Sequence, residues 1–277
     1  MSTRDDILIT AFGLAQLIAA GDVALLDVRW QLPKPDGRDD YLAGHIPDAV
    51  YVSLEDDLSD HRVQGRGRHP LPSGAAVQEA ARRWGVRDGV PTVIYDDWNR
   101  AGSARAWWVL RAAGIENVRI LDGGLAAWTT SGGPLDRGDV EPEPGDVTVM
   151  HDDLYAGAMP TLTADEAAAL GPRLGDVRAP ERFRGETEPL DPLAGHIPGA
   201  VNLPSVLAAD GTLRTDGADV DGVYCGSGVT AAVAVAALAA AGQEVALFPG
   251  SWSQWSNEPG RPVGRAKRRV GDPATGD

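Results

Sequence analysis

Between Ala11 and Ala20 the apolar residues Leu14, Leu17 and Ile18 fall at helical spacing, and Gly21 stops the run. Val23-Ala-Leu-Leu26 follows as a short, continuously apolar stretch of the buried-strand type. It ends at Asp27-Val-Arg-Trp30, after which a polar, proline-rich loop leads to Leu42-Ala-Gly-His-Ile-Pro-Asp-Ala-Val50. The stretch on to Pro72 has no regular period and reads as loop. Ser73 is placed to cap a helix whose apolar face is Val77, Ala80, Ala81 and Trp84, closed by Gly85. Pro91 to Tyr95 is the next strand. A loop from Asp96 to Gly102 precedes a helix carrying Trp107, Trp108 and Leu110 up to Gly114. Then come the strand Val118-Arg-Ile-Leu121 and the turn Asp122-Gly-Gly124. Strands alternating with helices predict an α/β fold with a mainly parallel sheet.

The pattern then restarts. Leu26-Asp-Val-Arg29 returns as Gly175-Asp-Val-Arg178, and Leu42 to Val50 returns as Leu193-Ala-Gly-His-Ile-Pro-Gly-Ala-Val201, identical at eight of nine positions. Val93-Ile-Tyr-Asp96 corresponds to Gly222-Val-Tyr-Cys225, and Asp122 to Trp128 corresponds to Pro249 to Trp255. Two tandem domains of one fold follow, over residues 1–131 and 161–264. Residues 132–160, rich in Gly, Pro and acidic residues, read as the linker, and residues 265–277, with the basic run Arg265 to Arg269, as a disordered tail.

Composition narrows the classes. The 277 residues are 43% hydrophobic, ordinary for a globular protein, and 40 acidic against 25 basic residues give a net charge of −15. Such a balance repels phosphate backbones and argues against nucleic acid as partner. The most apolar run, Val229 to Ala241, falls short of the roughly twenty residues that span a bilayer. A single cysteine and no leader-like N-terminus point to the cytoplasm. The five histidines and one cysteine have no metal-ligand spacing, so neither a metal nor a cofactor is expected.

That cysteine is the candidate chemistry. Cys225 follows the predicted strand end Val223-Tyr224, sits in the glycine-rich turn Cys225-Gly-Ser-Gly-Val-Thr230 and precedes an alanine-rich helix from Ala231 to Ala241. A tight turn into a helix N-terminus can aim several backbone amides at one sulfur, favouring thiolate. The repeat supplies a control. The first copy has Asp96 at this position, so the fold does not require a cysteine there, and one copy alone can do thiol chemistry. Open parallel sheets place their sites beyond the carboxyl ends of the strands, which puts the pocket between the domains. His45, His196, Asp27 and Asp176 recur in both copies and are read as structural. Trp252 and Trp255 fit core or pocket; Trp30, just past a strand end, fits the cleft.

At these residues the chain resembles the two-domain rhodanese-type sulfurtransferases over nearly its whole length. Asp-Val-Arg followed by Gly-His-Ile-Pro-x-Ala in each half looks like that family's paired signature. The turn Cys225-Gly-Ser-Gly-Val-Thr230 is similar to the 3-mercaptopyruvate branch, whereas thiosulfate sulfurtransferases usually carry charged side chains directly after the cysteine. The resemblance implies two rhodanese-like domains, the second catalytic. It implies a sulfane sulfur passed from 3-mercaptopyruvate through a persulfide on Cys225 to a thiol acceptor such as a thioredoxin-like protein, or to cyanide. Gly226, Gly228, Val229 and Thr230 would line the donor site. Ser227 would join a His and an Asp, for which His69 and Asp60 are the matching residues. Arg182 matches the family's substrate arginine. The second such arginine is missing, because Leu190 stands in its place, and Arg184 is a candidate substitute.

Three rival readings remain to be weighed. A cysteine phosphatase needs an arginine six residues after the cysteine, where this chain has Ala231. Thiosulfate:cyanide sulfur transfer by the same cysteine is the runner-up. A persulfide carrier that delivers sulfur to a partner protein is the alternative outside enzymology. The physiological acceptor and oligomeric state stay open, a monomer being the simplest reading.

Overall fold

The computed structural model describes residues 3–21, 23–203 and 206–265. The first sheet holds β1 (Leu8–Ile9), β2 (Ala24–Asp27), β3 (Val50–Tyr51), β4 (Thr92–Tyr95) and β5 (Val118–Leu121), in the order β1-β5-β4-β2-β3 with every pair parallel. The second holds β6 (Leu174–Asp176), β7 (Val201–Asn202), β8 (Gly222–Tyr224) and β9 (Ala246–Leu247), ordered β7-β6-β8-β9 and again parallel. With β1 set aside the orders are identical. A lone parallel bridge from Thr161 to Leu247 marks where β1 would lie in the second copy. The sequence repeat is therefore a repeat of topology.

Local chemistry accounts for the elements. Thr10 caps helix Ala11–Ala20 by accepting from Gly13 N, and Gly21 closes it in the left-handed region at φ 79°. Ser73 caps helix Gly74–Arg83 through Ala76 N at 3.2 Å, a contact worth about 1 kcal/mol. The stretch read as plain loop before Pro72 contains one short helix, Leu54–Asp57, capped by Ser53. A single turn of helix was too short to leave a period in the sequence.

The recurring motifs prove to be a repeated frame. Arg29 donates Nε and Nη2 to the Asp27 carboxylate and Nη2 to Gly44 O, and Arg178 does the same with Asp176 and Gly195 O. Tyr95 Oη accepts from Ile46 N at 3.0 Å, as Tyr224 Oη does from Ile197 N. His45 stacks on Tyr41 at 4.4 Å between ring centroids, and His196 on Phe183 at 3.9 Å. Each carboxylate–arginine pair is buried and fully bonded, so the pairs fix the loops that follow β2 and β6 rather than presenting charge to a substrate.

The helices that follow β4 and β8, Ala101–Ala112 and Thr230–Ala240, pack on each other across the domain boundary. Both are apolar almost all round, as helices sandwiched on every side must be. The alanines of the second let its axis approach closely, and one cluster of buried side chains runs from Trp107 and Leu110 to Val233 and Leu238. The segment joining the two sheets lies along the first, with Val147 N donating to Val86 O and Gly74 N to Asp152 O. Arg265 donates to Ala194 O, and the rest of the expected tail lies outside the described residues.

Candidate active site

Cys225 directly follows β8 and is 3% exposed. Its carbonyl accepts from Trp252 N and that of Gly226 from Ser253 N, so the turn is hung on the start of helix Ser251–Trp255. Cys225 N itself donates to Ser251 Oγ at 3.1 Å. Gly228 N points back to Sγ at 3.2 Å. The sequence led us to expect several amides around the sulfur; among the described residues one donates to it. Gly228 sits at φ 80°, and a Cβ there would collide with Pro249 O, so glycine is required at the point where the turn reverses. Val229 is buried, and Thr230 opens the following helix with its side chain exposed.

The first domain supplies the other wall. Gly67, at φ 84°, lies so close to the second domain that a Cβ would sit 2.5 Å from Gly250 O, and Arg68 N donates to Ser253 Oγ at 2.9 Å. This contact carries the next residue into the site. His69 Nδ1 lies 2.8 Å from Ser227 Oγ, and both side chains are buried. On its other side His69 Nε2 meets Glu55 Oε1 at 3.2 Å, and Glu55 Oε1 also accepts from Trp30 Nε1 at 2.6 Å. Trp30 packs edge-on to the His69 ring at 5.7 Å, whereas Trp252 and Trp255 are core.

The acid behind His69 is thus Glu55, not Asp60. The Asp60 carboxylate takes Arg62 through Nε, Nη2 and the backbone amide on the surface. Two residues of separation make that turn self-contained, so Asp60 turns away while only its backbone stays near, donating to Pro70 O. Glu55 escaped notice because it belongs to the short helix Leu54–Asp57. Ser53 followed by three acids was the available signal, a capped first turn.

Electrostatics set the protonation states. Hydrogen bonding from His69 holds the Glu55 carboxyl down at about 2. Burial pulls His69 below its ordinary 6.5, and the cations Arg105 and Arg68 add to this, outweighing the upward pull of Glu55. At neutral pH the contact is therefore a carboxylate accepting from a neutral ring. Nε2 carries the proton, and Nδ1 is left to accept from Ser227.

Arg105 is a second residue that sequence reasoning missed. It lies fully buried in helix Ala101–Ala112, donating to Leu58 O and, through Nη2 at 3.0 Å, to His69 O. Its Nη1 has no partner. Burial pushes it down to about 10, against attraction from Tyr155, Cys225 and Glu55, and at that value it stays charged at neutral pH. Arg105 lies among the buried residues of this helix whereas Arg111 marks its last turn, and an arginine flanked by Ala104, Ala106 and Trp107 was the available sign of an interior charge.

Arg182, the expected substrate arginine, stands beside the turn, with Nη1 3.6 Å from where a Cβ on Gly226 would be. Its Nε and Nη2 are held by Glu188. Arg184 pairs with Glu186 on the surface and does not reach the site, and Leu190 is exposed. No group of side chains able to hold a metal ion occurs among the described residues, and no helix there is long and apolar enough to cross a membrane.

With this geometry in place, comparison with known proteins is informative. A family model described as Rhodanese-like domain matches residues 10–131 and 161–258. A Mycobacterium tuberculosis protein provisionally named thiosulfate sulfurtransferase SseB is 62% identical over 96% of this chain and 99% of its own. A Pseudomonas aeruginosa protein provisionally named 3-mercaptopyruvate sulfurtransferase is 41% identical over 92% of this chain and 97% of its own. The crystal structure of SseA from Escherichia coli, described as a 3-mercaptopyruvate sulfotransferase of rhodanese fold, superposes with a TM-score of 0.75 at 33% identity, covering 89% of this chain and 98% of SseA.

Proposed function

The chain belongs to the rhodanese-like family, and from that premise we propose that it is a sulfurtransferase drawing sulfane sulfur from 3-mercaptopyruvate through a persulfide on Cys225. The observation that carries the donor choice is the hydrogen-bonded row Ser227, His69, Glu55, which starts two residues from the sulfur. The Cys225 thiolate attacks the sulfur of the donor, a new S–S bond forms, and the C–S bond breaks with its electron pair left on the methylene carbon as an enolate. The donor's thiol proton must end on that carbon to give pyruvate. His69, neutral and accepting at Nδ1, takes this proton by way of Ser227 and returns it to carbon, so the relay finishes unchanged. In the second half-reaction an acceptor thiolate attacks the outer sulfur of the persulfide and restores the Cys225 thiolate. Gly228 N and the buried Arg105 charge favour the anionic sulfur in both halves.

Thiosulfate as the donor is the second reading, favoured by the name of the 62% identical relative. It needs the same cysteine and no relay, since the leaving sulfite takes no proton to carbon. The test is the ratio of kcat/KM for pyruvate release from 3-mercaptopyruvate to that for thiocyanate formation from thiosulfate and cyanide. A ratio of at least about 10, roughly 1.4 kcal/mol of preference, is expected. A ratio at or below one transfers the assignment to thiosulfate. Absence of turnover with either donor returns the protein to a carrier role. An intracellular protein with a small anionic donor and a thiol acceptor fits this reading, as does division of the chain into a supporting domain over 1–131 and a catalytic one over 161–264.

A further inference from the structure

Resting on that reading, we infer that Arg68, from the first domain, is the second guanidinium that grips the anionic head group of the sulfur donor. Leu190 stands where sequence resemblance placed that arginine, and it is exposed, while Arg184 is tied to Glu186. The chain nevertheless brings two guanidinium groups to the residue beside the nucleophile. A Cβ on Gly226 would lie 3.1 Å from Arg68 Nη2 and 3.6 Å from Arg182 Nη1. Gly226 leaves that space open, and a cation enters it from each domain.

The edges of the two groups differ. Side-on capture of a carboxylate uses Nε and Nη2 together, as Arg29 does with Asp27 in this protein. In Arg182 that edge is occupied by Glu188. In Arg68 it is not: Nε is buried without a partner, and no hydrogen bond engages Nη2, which faces Gly226. Arg68 Nη1 makes a short ion pair with the buried Asp191, whose Oδ2 lies 3.8 Å from Arg182 Nη2 and has no hydrogen-bond partner. Asp191 thus holds Arg68 by Nη1 and leaves Nη2 facing Gly226, the residue after the nucleophile, with Nε unpaired. The backbone of Arg68 is pinned by Ser253 Oγ, and its neighbour His69 belongs to the proton relay. One segment of the first domain therefore delivers both the anion grip and the relay.

The experiment uses the full chain with Arg68→Ala and Arg68→Gln, the second keeping the volume if the first fails to fold. Because Cys225 is the lone cysteine, its alkylation reports the turn directly. Wild-type protein is expected to react faster with anionic iodoacetate, relative to neutral iodoacetamide, than either variant, the ratio falling about 10-fold on substitution. The iodoacetamide rate should stay within about 3-fold, which a collapsed site would not allow. In turnover the variants should raise KM about 10- to 50-fold with kcat within about 3-fold. Loss confined to 3-mercaptopyruvate assigns the grip to a carboxylate; equal loss with thiosulfate assigns it to either anion. An unchanged alkylation ratio with unchanged KM in an active enzyme overturns the inference. If wild-type protein turns over neither donor, the proposed function fails, while the alkylation ratio still decides the role of Arg68.

Discussion

The turn after β4 and the turn after β8 occupy equivalent places in two sheets of the same strand order, and they differ in what is left unsatisfied. Asp96 accepts from Trp98 N and Arg100 N on one oxygen and from Ser103 N and Oγ on the other, and pairs with the buried Arg100 guanidinium. Every lone pair it offers is used, so the group is a cap and an anchor. Cys225 at the matching place accepts from one amide, Gly228 N, with the relay hydroxyl of Ser227 two residues on. Both turns hang on the helix that follows the next strand, Asp96 O accepting from Leu125 N as Cys225 O does from Trp252 N; the first is closed in addition by its own side-chain bonds, whereas behind the second the helix Ser251–Trp255 is met by Gly67 and Arg68 of the first domain. The copy without the cysteine supplies the wall that His69 and Glu55 present to Ser227.

This contrast predicts opposite consequences for the two positions. Cys225→Ser should remove turnover by at least about 10³-fold, leaving stability within about 1 kcal/mol, as followed by pyruvate release and urea unfolding. Asp96→Ala should do the reverse, lowering stability by about 3 kcal/mol because it strands a buried arginine and several amides, with the surviving folded fraction retaining its Cys225 reactivity. If Asp96→Ala spared stability and abolished sulfur transfer, the division of labour would be wrong. Ser227→Ala should slow turnover with 3-mercaptopyruvate about 100-fold with no loss of folding, and thiosulfate turnover should fall far less. Equal losses for the two donors would remove the relay from the account.

Glu55→Gln sharpens the comparison further, because it acts on the wall rather than on the turn. Turnover should fall about 10-fold and the pH profile should move. The relay needs neutral His69, so activity is present above its pKa and lost as pH falls through it. With burial holding His69 below 6.5, the acid limb of kcat/KM should lie below that value. Glu55 pulls His69 upward, so its removal should shift the limb to still lower pH; a shift upward, or none, would detach Glu55 from His69.

Much of this was legible in the chain. The duplicated Asp-Val-Arg and Gly-His-Ile-Pro segments announced the two sheets, because the buried Arg29–Asp27 and Arg178–Asp176 pairs that fix each frame are local in sequence. Cys225 was singled out by a turn whose geometry is also local, and Ser227 and Arg182 were named through the family resemblance. The misses are contacts between distant segments. Glu55 reaches His69 across a region with no periodicity, and Asp60 was preferred although its nearest donor is Arg62. Arg105 gains its role from Leu58 O and His69 O, carbonyls dozens of residues earlier in the chain. Arg68 acquires meaning only beside Gly226 and Asp191, more than a hundred residues away. Periodicity shows which face is buried; it does not show what lies across it.

In this scheme Cys225 itself carries the transferred sulfur. Mixing the protein with one equivalent of 3-mercaptopyruvate and no acceptor, then recording intact mass and released pyruvate, tests it directly. The account predicts one added sulfur per chain, one equivalent of pyruvate, and neither product with Cys225→Ser. Pyruvate without added mass, or added sulfur that persists in Cys225→Ser, would contradict it.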